Sequence, residues 1–347
     1  MISPARYTRR FAWLLLASTA ALACASQPPR VVVSDGRYVM GTVLEITLVV
    51  PDKALGREAL GALFELAQEL DAMLSVYAPQ SEVSRLNAGA GAEPQPVSPE
   101  LARLLARSIE YSALSGGSFD VTVGPLIELW TRAAKRDAPP TPGELARARA
   151  RVGYAKIRVG ADGRVALAEP GVSIDLGGIA KGWALDRMRP ILERFAITDA
   201  LLNFGQSSVW ALGTPQDADA WRLLVRGPDE TWLGVISLAE RALSVSGSLG
   251  QWVEIGGERY GHVLDPRSGQ ALRQRRQALV LAPDATLAEA LSKALLVLGE
   301  DVGMALLEAQ PQCEALLVDA GGEVWTTRGW NQAARFEPFD GSSSGPH

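Results

Sequence analysis

The chain has 347 residues but very little histidine and cysteine, with only 2 of each. His347 ends a small polar tail, so His262 is the one ordered side chain with an ordinary pKa near neutrality. Cys24 lies in an N-terminal leader, which leaves Cys313 without an internal disulfide partner. A hydrophobic core must therefore stabilise the fold, and a composition that is 47% apolar can supply one.

Dense positive charge and long apolar runs are also missing. The formal net charge is −5, with no lysine- and arginine-rich block after the first few residues. Proteins that bind nucleic acid usually carry such a basic patch, so we expect no nucleic-acid partner. The apolar run from Phe11 to Ala23 is shorter than the roughly 20 residues that cross a bilayer as a helix.

The N-terminal segment is typical of an export signal. Arginines precede the apolar run, and small residues end it just before Cys24. A cysteine at that point resembles a bacterial lipoprotein signal, in which Cys24 becomes the lipidated N-terminus. The alternative is an ordinary signal peptide that is discarded with its thiol. We predict a signal at 1–24, a polar spacer at 25–36, and export to the periplasmic side of a bacterial membrane with a lipid anchor.

Hydrophobic periodicity predicts a mixture of helices and strands. Residues 43–50 alternate as a strand does, and apolar residues at helical spacing follow over 60–74. Ser98-Pro99, Thr141 with Glu144, and Asp284 are typical helix starts, and Gly299 is a typical helix end. We expect short strands at 156–159, 164–168, 172–176, 200–203, 221–225, 233–238 and 259–263, and a hairpin over 315–325. The irregular order indicates an α+β fold, with one domain at 37–335 and a disordered tail at 336–347.

Three strings are candidates for chemistry. His262 ends a strand and enters a turn, where scaffolds often present catalytic groups, although a histidine bonded to backbone would look the same. The string Asp175–Gly182 runs from an acid through paired glycines into a helix that begins near Lys181, which suits a phosphate but also fits a plain turn. The string Ser115–Leu126 brackets an aromatic residue and a carboxylate with glycines, which suits a loop against a flat ring.

Together and in order, these strings resemble the FAD:protein FMN transferase family, also called ApbE-like flavin transferases. The resemblance is carried by Met40–Thr42, Leu74–Tyr77, Ser84–Asn87, Gly117–Leu126, Asp175–Gly182, Ala200–Gly205, Ser246–Gly247, His262–Gly269 and Asp284–Gly299. It implies a single ApbE-like (T-fold-like) domain of mixed antiparallel sheets with packed helices. It also implies that the protein binds FAD and Mg²⁺, cleaves FAD, and joins FMN by a phosphoester to a Thr or Ser of an acceptor redox protein.

The resemblance assigns roles by position. His262 falls on the catalytic histidine, for which Asp265 is a candidate orienting group, and Gly178 falls on a metal position. The flavin-nucleotide positions are Met40, Tyr77, Ser118, Phe119, Asp120, Asp175, Lys181 and Val263.

The predicted metal helix departs from the family pattern, which has Asp followed four residues later by Thr. Here Glu289 and Lys293 hold those places, with Ser292 at a third position. Glu289 can bind Mg²⁺ through oxygen, but an ammonium has no lone pair, so Lys293 marks a position and is not a ligand. Helical projection puts Glu289 and Lys293 nearly opposite a buried stripe of Leu287, Leu291, Ala294 and Leu298.

That departure leaves alternatives open. Lys293 neutralises the pyrophosphate directly, or it forms a solvent-facing pair with Glu289, or the metal site is lost. The function expected first is an FMN transferase. Its alternatives are an Mg²⁺-dependent FAD pyrophosphatase that uses water, or a non-catalytic FAD-binding lipoprotein, which would follow if the metal site is lost.

Overall fold

The computed structural model describes residues 30–228, 231–248 and 250–339. The predicted signal peptide, the lipidation candidate Cys24 and His347 lie outside these residues. Across the described ranges, no helix combines the length and the apolar character needed to cross a membrane.

The described residues form a mixed α+β structure, as predicted. The strands are β1 (Val31–Val39), β2 (Thr42–Val50), β3 (Gln95–Pro96), β4 (Ile157–Val159), β5 (Arg164–Leu167), β6 (Asp199–Phe204), β7 (Ser208–Leu212), β8 (Trp221–Arg226), β9 (Trp232–Leu238), β10 (Arg241–Gly247), β11 (Trp252–Ile255), β12 (Glu258–Gly261), β13 (Arg276–Ala282), β14 (Glu314–Asp319), β15 (Val324–Thr326) and β16 (Glu337–Pro338). The helices are α1 (Lys53–Leu74), α2 (Glu82–Ala88), α3 (Pro99–Leu114), α4 (Gly124–Lys135), α5 (Pro142–Arg149), α6 (Ala180–Arg194), α7 (Ala285–Glu308) and α8 (Trp330–Ala334).

One large sheet organises the molecule. Its strand order is β1-β2-β6-β7-β10-β13-β14-β15, and every neighbouring pair is antiparallel. Because side chains alternate along a strand, each face of the sheet carries its own core. Val280 of β13 belongs to the core under α1, α6 and α7, whereas Leu281 belongs to the core shared with β8, β9 and α8. The prediction of antiparallel sheets with packed helices is confirmed.

Local capping signals predict the helix starts correctly. The Ser98 hydroxyl accepts a hydrogen bond from the Leu101 amide at 3.2 Å, and Pro99 occupies the first turn of α3. Thr141 and Glu144 form the reciprocal capping box at the start of α5. These short-range bonds satisfy amides that have no partner inside the helix.

The segment 172–176 is not a strand, so that prediction is wrong. Val172, Ile174 and Leu176 are buried in alternation, which imitates a strand pattern. The Ile174 backbone instead bonds the Asn87 side-chain amide, with its N–H donating to Oδ1 at 2.7 Å and its carbonyl accepting from Nδ2 at 2.9 Å. A side chain thus satisfies the backbone groups that a neighbouring strand would otherwise satisfy.

Both ends of the folded part extend further than the sequence suggests. Strand β1 begins at Val31 and pairs with β2 over its whole length, so residues 31–36 are not a spacer. Near the other end, β16 pairs with β9, and the Phe339 amide donates to the Leu233 carbonyl at 3.0 Å. Residues 336–339 are therefore ordered, because backbone pairing stabilises a segment whose side chains are largely exposed.

Helix α7 begins as predicted, its first part ends at Gly299 as predicted, and a second helical part follows directly. The Asp284 carboxylate accepts from the Leu287 amide at 2.8 Å, and Gly299 interrupts the helix with φ of 77° before the helical run resumes. Asp186 of α6 also accepts from the amides of Ala285 and Thr286, both at 2.9 Å. Burial raises the pKa of Asp186 to about 6. This contact between α6 and α7 sets the geometry of the candidate site.

Candidate active site

The site is built where the first turn of α6 touches α7. Gly182 allows this contact, because a Cβ at that position would lie 2.7 Å from the Ala285 carbonyl carbon and 2.9 Å from the Thr286 nitrogen. The Gly182 amide donates to Glu289 Oε2 at 3.0 Å. The glycine therefore joins the Asp175–Gly182 string to the predicted metal helix, although the two are distant in sequence.

Glu289 is completely buried, which contradicts the helical projection. Its Oε2 accepts from Gly182, and its Oε1 accepts from the Ser208 hydroxyl of β7. Helix α7 packs against α6 on one side and the central strands of the large sheet on the other, so it has no broad solvent face near this residue. The interpretation of Glu289 and Lys293 as a solvent-facing pair is therefore wrong.

Lys293 lies beside this buried carboxylate. Its Nζ is 3.8 Å from Glu289 Oε1, and its side chain is 21% exposed. Burial lowers the pKa of Lys293, Glu289 raises it, and Lys181 lowers it further. The two ammonium groups therefore act on the same region of the site.

Ser292 hydrogen-bonds two serines of β10 and a carbonyl of its own helix. Its Oγ lies 3.0 Å from Ser244 Oγ and 2.8 Å from Ser246 Oγ, and it donates to the Glu289 carbonyl at 2.9 Å. All three serines are buried. A hydroxyl has one proton and two lone pairs, so these contacts use its full capacity.

Lys181 lies in the first turn of α6 and is half-buried. Its Nζ donates to Ser207 Oγ at 2.5 Å, and Ser207 in turn donates to the Phe204 carbonyl at 3.2 Å. Ser207 belongs to the turn between β6 and β7, where Gln206 has a φ of 57° and its amide donates to Asn203 Oδ1 at 3.0 Å. The turn thus holds the Lys181 ammonium where β6 and β7, two central strands of the large sheet, meet.

His262 directly follows β12, at the strand end where the sequence places it. Its Nδ1 lies 2.9 Å from the Gln251 carbonyl oxygen and 3.3 Å from the Gln251 nitrogen, and the shorter contact favours a proton on Nδ1. That tautomer leaves a lone pair on Nε2. Burial, Lys293 and Lys181 lower the pKa of His262 below its ordinary value, although the hydrogen bond with Gln251 raises it. An imidazole with a free nitrogen can act as a base.

Asp265 does not orient this imidazole, so the sequence-based hypothesis is wrong. Its Oδ1 accepts from the backbone amide and Nε of Arg267 at 2.9 and 3.0 Å, and its Oδ2 accepts from Ser268 Oγ at 3.0 Å. A carboxylate most easily bonds donors a few residues ahead in a turn. The Gln251 backbone, which sequence reasoning missed, takes the orienting role.

The loop at Ser118, Phe119 and Asp120 is buried and internally bonded. Asp120 Oδ1 accepts from the amide and hydroxyl of Thr122 at 2.8 and 2.7 Å, and its Oδ2 accepts from the Tyr154 amide at 2.7 Å. Ser118 Oγ donates to the Ser115 carbonyl at 2.9 Å. Burial raises the pKa of Asp120. These contacts give the loop a fixed shape.

The structure brings this loop against the string that contains Asp175. The Asp175 amide donates to the Val121 carbonyl at 2.8 Å, and its Oδ1 accepts from the Gly177 amide at 2.8 Å. Burial raises the pKa of Asp175. A Cβ at Gly178 would lie 3.7 Å from the Phe119 ring. Two strings that are separate in sequence therefore form one surface.

Three predicted flavin positions remain, namely Met40, Tyr77 and Val263. Met40 has a φ of 50°, and its amide donates to Asp71 Oδ2 at 3.1 Å. Tyr77 is 90% exposed, and Val263 is half-buried against the core. Within the described residues, neither Met40 nor Tyr77 hydrogen-bonds another member of the site.

The residues at the predicted Mg²⁺ site do not fit that ion well. Glu289 is the single carboxylate among them, each of its oxygens already accepts one hydrogen bond, Ser292 is fully bonded, and an ammonium lies at the third position. Among the residues that the structure describes, no group of three or more His, Cys, Asp or Glu side chains could hold a metal. Mg²⁺ needs several oxygen ligands in octahedral geometry, and these side chains do not offer them.

Besides Gln251, sequence reasoning missed three serine partners of the predicted site residues, namely Ser207, Ser208 and Ser244. Ser207 directly precedes β7, Ser208 begins it and Ser244 lies in the middle of β10, and no local pattern marks them. Pairing of β10 with β7 aligns Ser244 with Ser208, and α7 then lies across them. Only the strand register could have found them.

Comparison with known proteins gives consistent matches. The model of the ApbE family matches residues 40–317. An FAD:protein FMN transferase of Vibrio cholerae is 31% identical over 338 residues, which cover 94% of this chain and 98% of the relative. An FAD:protein FMN transferase of Treponema pallidum is 32% identical over 304 residues, which cover 82% of this chain and 84% of the relative.

Solved structures agree. The flavin transferase ApbE of Vibrio cholerae superposes with a TM-score of 0.79 at 28% identity, covering 88% of this chain and 100% of that one. The ApbE protein of Thermotoga maritima superposes with a TM-score of 0.80 at 28% identity, with the same coverage.

Proposed function

This chain belongs to the ApbE family and is an FAD:protein FMN transferase, and we propose that His262 and the surrounding groups of α6 and α7 carry out its reaction. The reaction cleaves FAD and joins its FMN half by a phosphoester to a protein hydroxyl. The relatives match over most of this chain, and neither FAD pyrophosphatase activity nor FAD binding without catalysis is favoured.

The observation that carries the proposal is the contact between His262 Nδ1 and the Gln251 carbonyl at 2.9 Å. Because Nδ1 contacts Gln251, the free Nε2 lone pair lies on the opposite side of the imidazole ring. His262 Nε2 takes the proton of the acceptor hydroxyl while that oxygen attacks the phosphorus of the FMN half. A phosphoester P–O bond forms, the pyrophosphate P–O bond breaks, and the electron pair leaves with AMP.

Positive charge is the second requirement of this step. Negative charge grows on the leaving AMP oxygen, so fixed cations beside it lower the barrier. Lys181 is held by Ser207 in the first turn of α6. We propose that Lys181 contacts the pyrophosphate, in keeping with its assignment as a nucleotide-binding position.

We propose that the flavin binds along the surface formed by the loops at 117–121 and 175–178. Phe119, Asp120, Asp175 and Ser118 shape this surface through the contacts described above. Met40, Tyr77 and Val263 are proposed to complete it. The highly exposed Tyr77 ring has apolar area that a flat isoalloxazine ring would cover.

Mg²⁺ remains a prediction from the family resemblance. The side chains of Glu289, Ser292 and Lys293 do not form a site for it, and Gly178 offers only a backbone carbonyl, so no step here depends on a metal.

We also propose that the protein acts on the periplasmic side of a bacterial membrane, attached through lipid on Cys24. The basic, apolar and small-residue leader before Cys24 supports this location. The proposed acceptor is an exported redox protein that presents a Thr or Ser. Such a protein would meet the enzyme in the same compartment.

Intact-protein mass spectrometry tests the function directly. An acceptor domain incubated with the full chain and FAD is expected to gain the mass of one FMN less one water, with one AMP released. A threonine-to-alanine acceptor variant serves as the control and should gain nothing. AMP release without any mass gain would instead identify a pyrophosphatase.

The transfer rate should also remain high at a pH below the ordinary pKa of histidine. Burial, Lys293 and Lys181 lower the pKa of His262 from 6.5, so the imidazole keeps its free lone pair as the pH falls towards that value. Activity is lost only when the pH falls through the lowered pKa. We expect the acid limb of kcat/KM against pH to lie below pH 6.5. A limb at or above that value would contradict the proposed environment.

A further inference from the structure

Lys293 presents an ammonium that its carboxylate neighbour does not fully engage. Its Nζ is 3.8 Å from Glu289 Oε1, which is too long for a hydrogen bond. Both Glu289 oxygens already accept from Gly182 and Ser208. In the described part of the chain, no acceptor lies within hydrogen-bond distance of Lys293 Nζ. The ammonium is therefore available to a ligand.

The ammonium also lies close to Lys181. Lys293 Nζ is 3.8 Å from Glu289 Oε1, which accepts from the Ser208 hydroxyl, and the preceding residue, Ser207, accepts from Lys181 Nζ at 2.5 Å. The Lys293 side chain is 21% exposed, which suits a group that reaches into an open site from a buried helix. Lys293 therefore lies near Lys181, at the start of β7.

Two ammonium groups face one carboxylate around Glu289. Lys293 Nζ lies 3.8 Å from Glu289 Oε1, and Lys181 Nζ bonds Ser207, next to the Ser208 that donates to Glu289. A partly buried excess of positive charge is costly unless an anion neutralises it. The pyrophosphate of FAD carries two negative charges. It is the anion that the proposed reaction brings to this place.

We propose that the Lys293 ammonium, together with Lys181, supplies the positive charge on the FAD pyrophosphate, so that FMN transfer needs no divalent cation bound by the protein. The inference rests on the proposed function and adds a catalytic residue to it. It also accounts for the poor fit of Mg²⁺, because a cation already occupies the position beside Glu289. As AMP leaves, Lys293 stabilises the negative charge that develops on the phosphate oxygens.

Metal removal tests the inference. The full chain, freed of metal and assayed with FAD and an acceptor domain in EDTA, is expected to transfer FMN within about threefold of its rate in Mg²⁺. A loss of tenfold or more that Mg²⁺ restores would overturn the inference and leave the transferase function intact. No transfer in either condition would instead contradict the proposed function.

A substitution separates the role of Lys293 from metal effects. Lys293→Met keeps most of the apolar stem and removes the charge, and we expect metal-free transfer to fall by roughly one hundredfold. Lys135→Met, at the exposed end of α4, is the matched control and should keep its activity. Full metal-free transfer by Lys293→Met would overturn the inference.

Binding provides a readout that does not depend on turnover. We expect Lys293→Met to weaken FAD binding in EDTA, measured by quenching of flavin fluorescence, by about tenfold. Thermal unfolding of the variant checks that it is folded. A folded variant with unchanged FAD affinity and unchanged transfer would exclude contact between Lys293 and the pyrophosphate.

Discussion

His262→Ala is expected to lower FMN transfer by about 10²–10⁴-fold while FAD binding stays within about threefold, since general-base catalysis contributes that much to a rate. The imidazole is exposed beside the site, and its Nδ1 contacts the Gln251 carbonyl. Its proposed partner is the acceptor hydroxyl and not the flavin. Removal of the ring therefore removes the base but leaves the loops at 117–121 and 175–178 in place.

The measurement is single-turnover transfer by mass spectrometry, with FAD affinity measured separately by fluorescence. Asp265→Asn is an informative control, because the sequence suggested that Asp265 orients His262, whereas the structure bonds it to Arg267 and Ser268. We expect this variant to keep most of its transfer activity. If His262→Ala retained full activity, another base would have to be sought. If Asp265→Asn lost as much transfer activity as His262→Ala, the inferred orientation of His262 by Gln251 would be wrong.

Gly182→Ala should destabilise the protein by about 3 kcal/mol and reduce FAD affinity. A Cβ at Gly182 would lie 2.7 Å from the Ala285 carbonyl carbon, which is backbone and cannot rotate away. Such overpacking typically costs about 1–3 kcal/mol. Separating α6 from α7 would also break the bond from the Gly182 amide to Glu289, which adds about 1–3 kcal/mol for a charged acceptor.

Gly61→Ala is the matched control for that variant. Gly61 lies inside α1, and a Cβ there would have no neighbour within 4 Å. Alanine favours helix over glycine by about 0.8–1 kcal/mol, so this variant should be more stable than the natural chain. Urea unfolding of both variants gives the comparison. Equal destabilisation, or stabilisation by Gly182→Ala, would show that α6 and α7 do not pack as closely as described.

The fold was predictable wherever a signal was local. The capping residues Ser98, Thr141 and Asp284 each bond an amide a few residues away, so their sequence pattern already contains the interaction. The hairpin of β14 and β15 turns near Gly321 and Gly322, as predicted. Where the partner was distant, the prediction was wrong: the alternation in 172–176 reflects burial against neighbouring segments, with Asn87 in place of a paired strand.

The residues of the candidate site likewise divide into those that a sequence signal identified and those whose placement it predicted wrongly. Scarcity alone singled out His262, and the ordered motifs indicated the family. Helical projection failed for Glu289, because it assumes that a helix has one buried face and one solvent face. Helix α7 lies between α6 and the large sheet, so both faces are covered.

By itself, the sequence determined the fold class, the principal helix starts, the single histidine among the described residues and the family, because each depends on composition or on short-range pattern. The tertiary structure decided which groups meet: Glu289 with Gly182 and Ser208, and His262 with the Gln251 carbonyl. The contacts of Glu289 join residues far apart in the chain through strand register and close helix contact. Short-range sequence patterns carry no information about such distances.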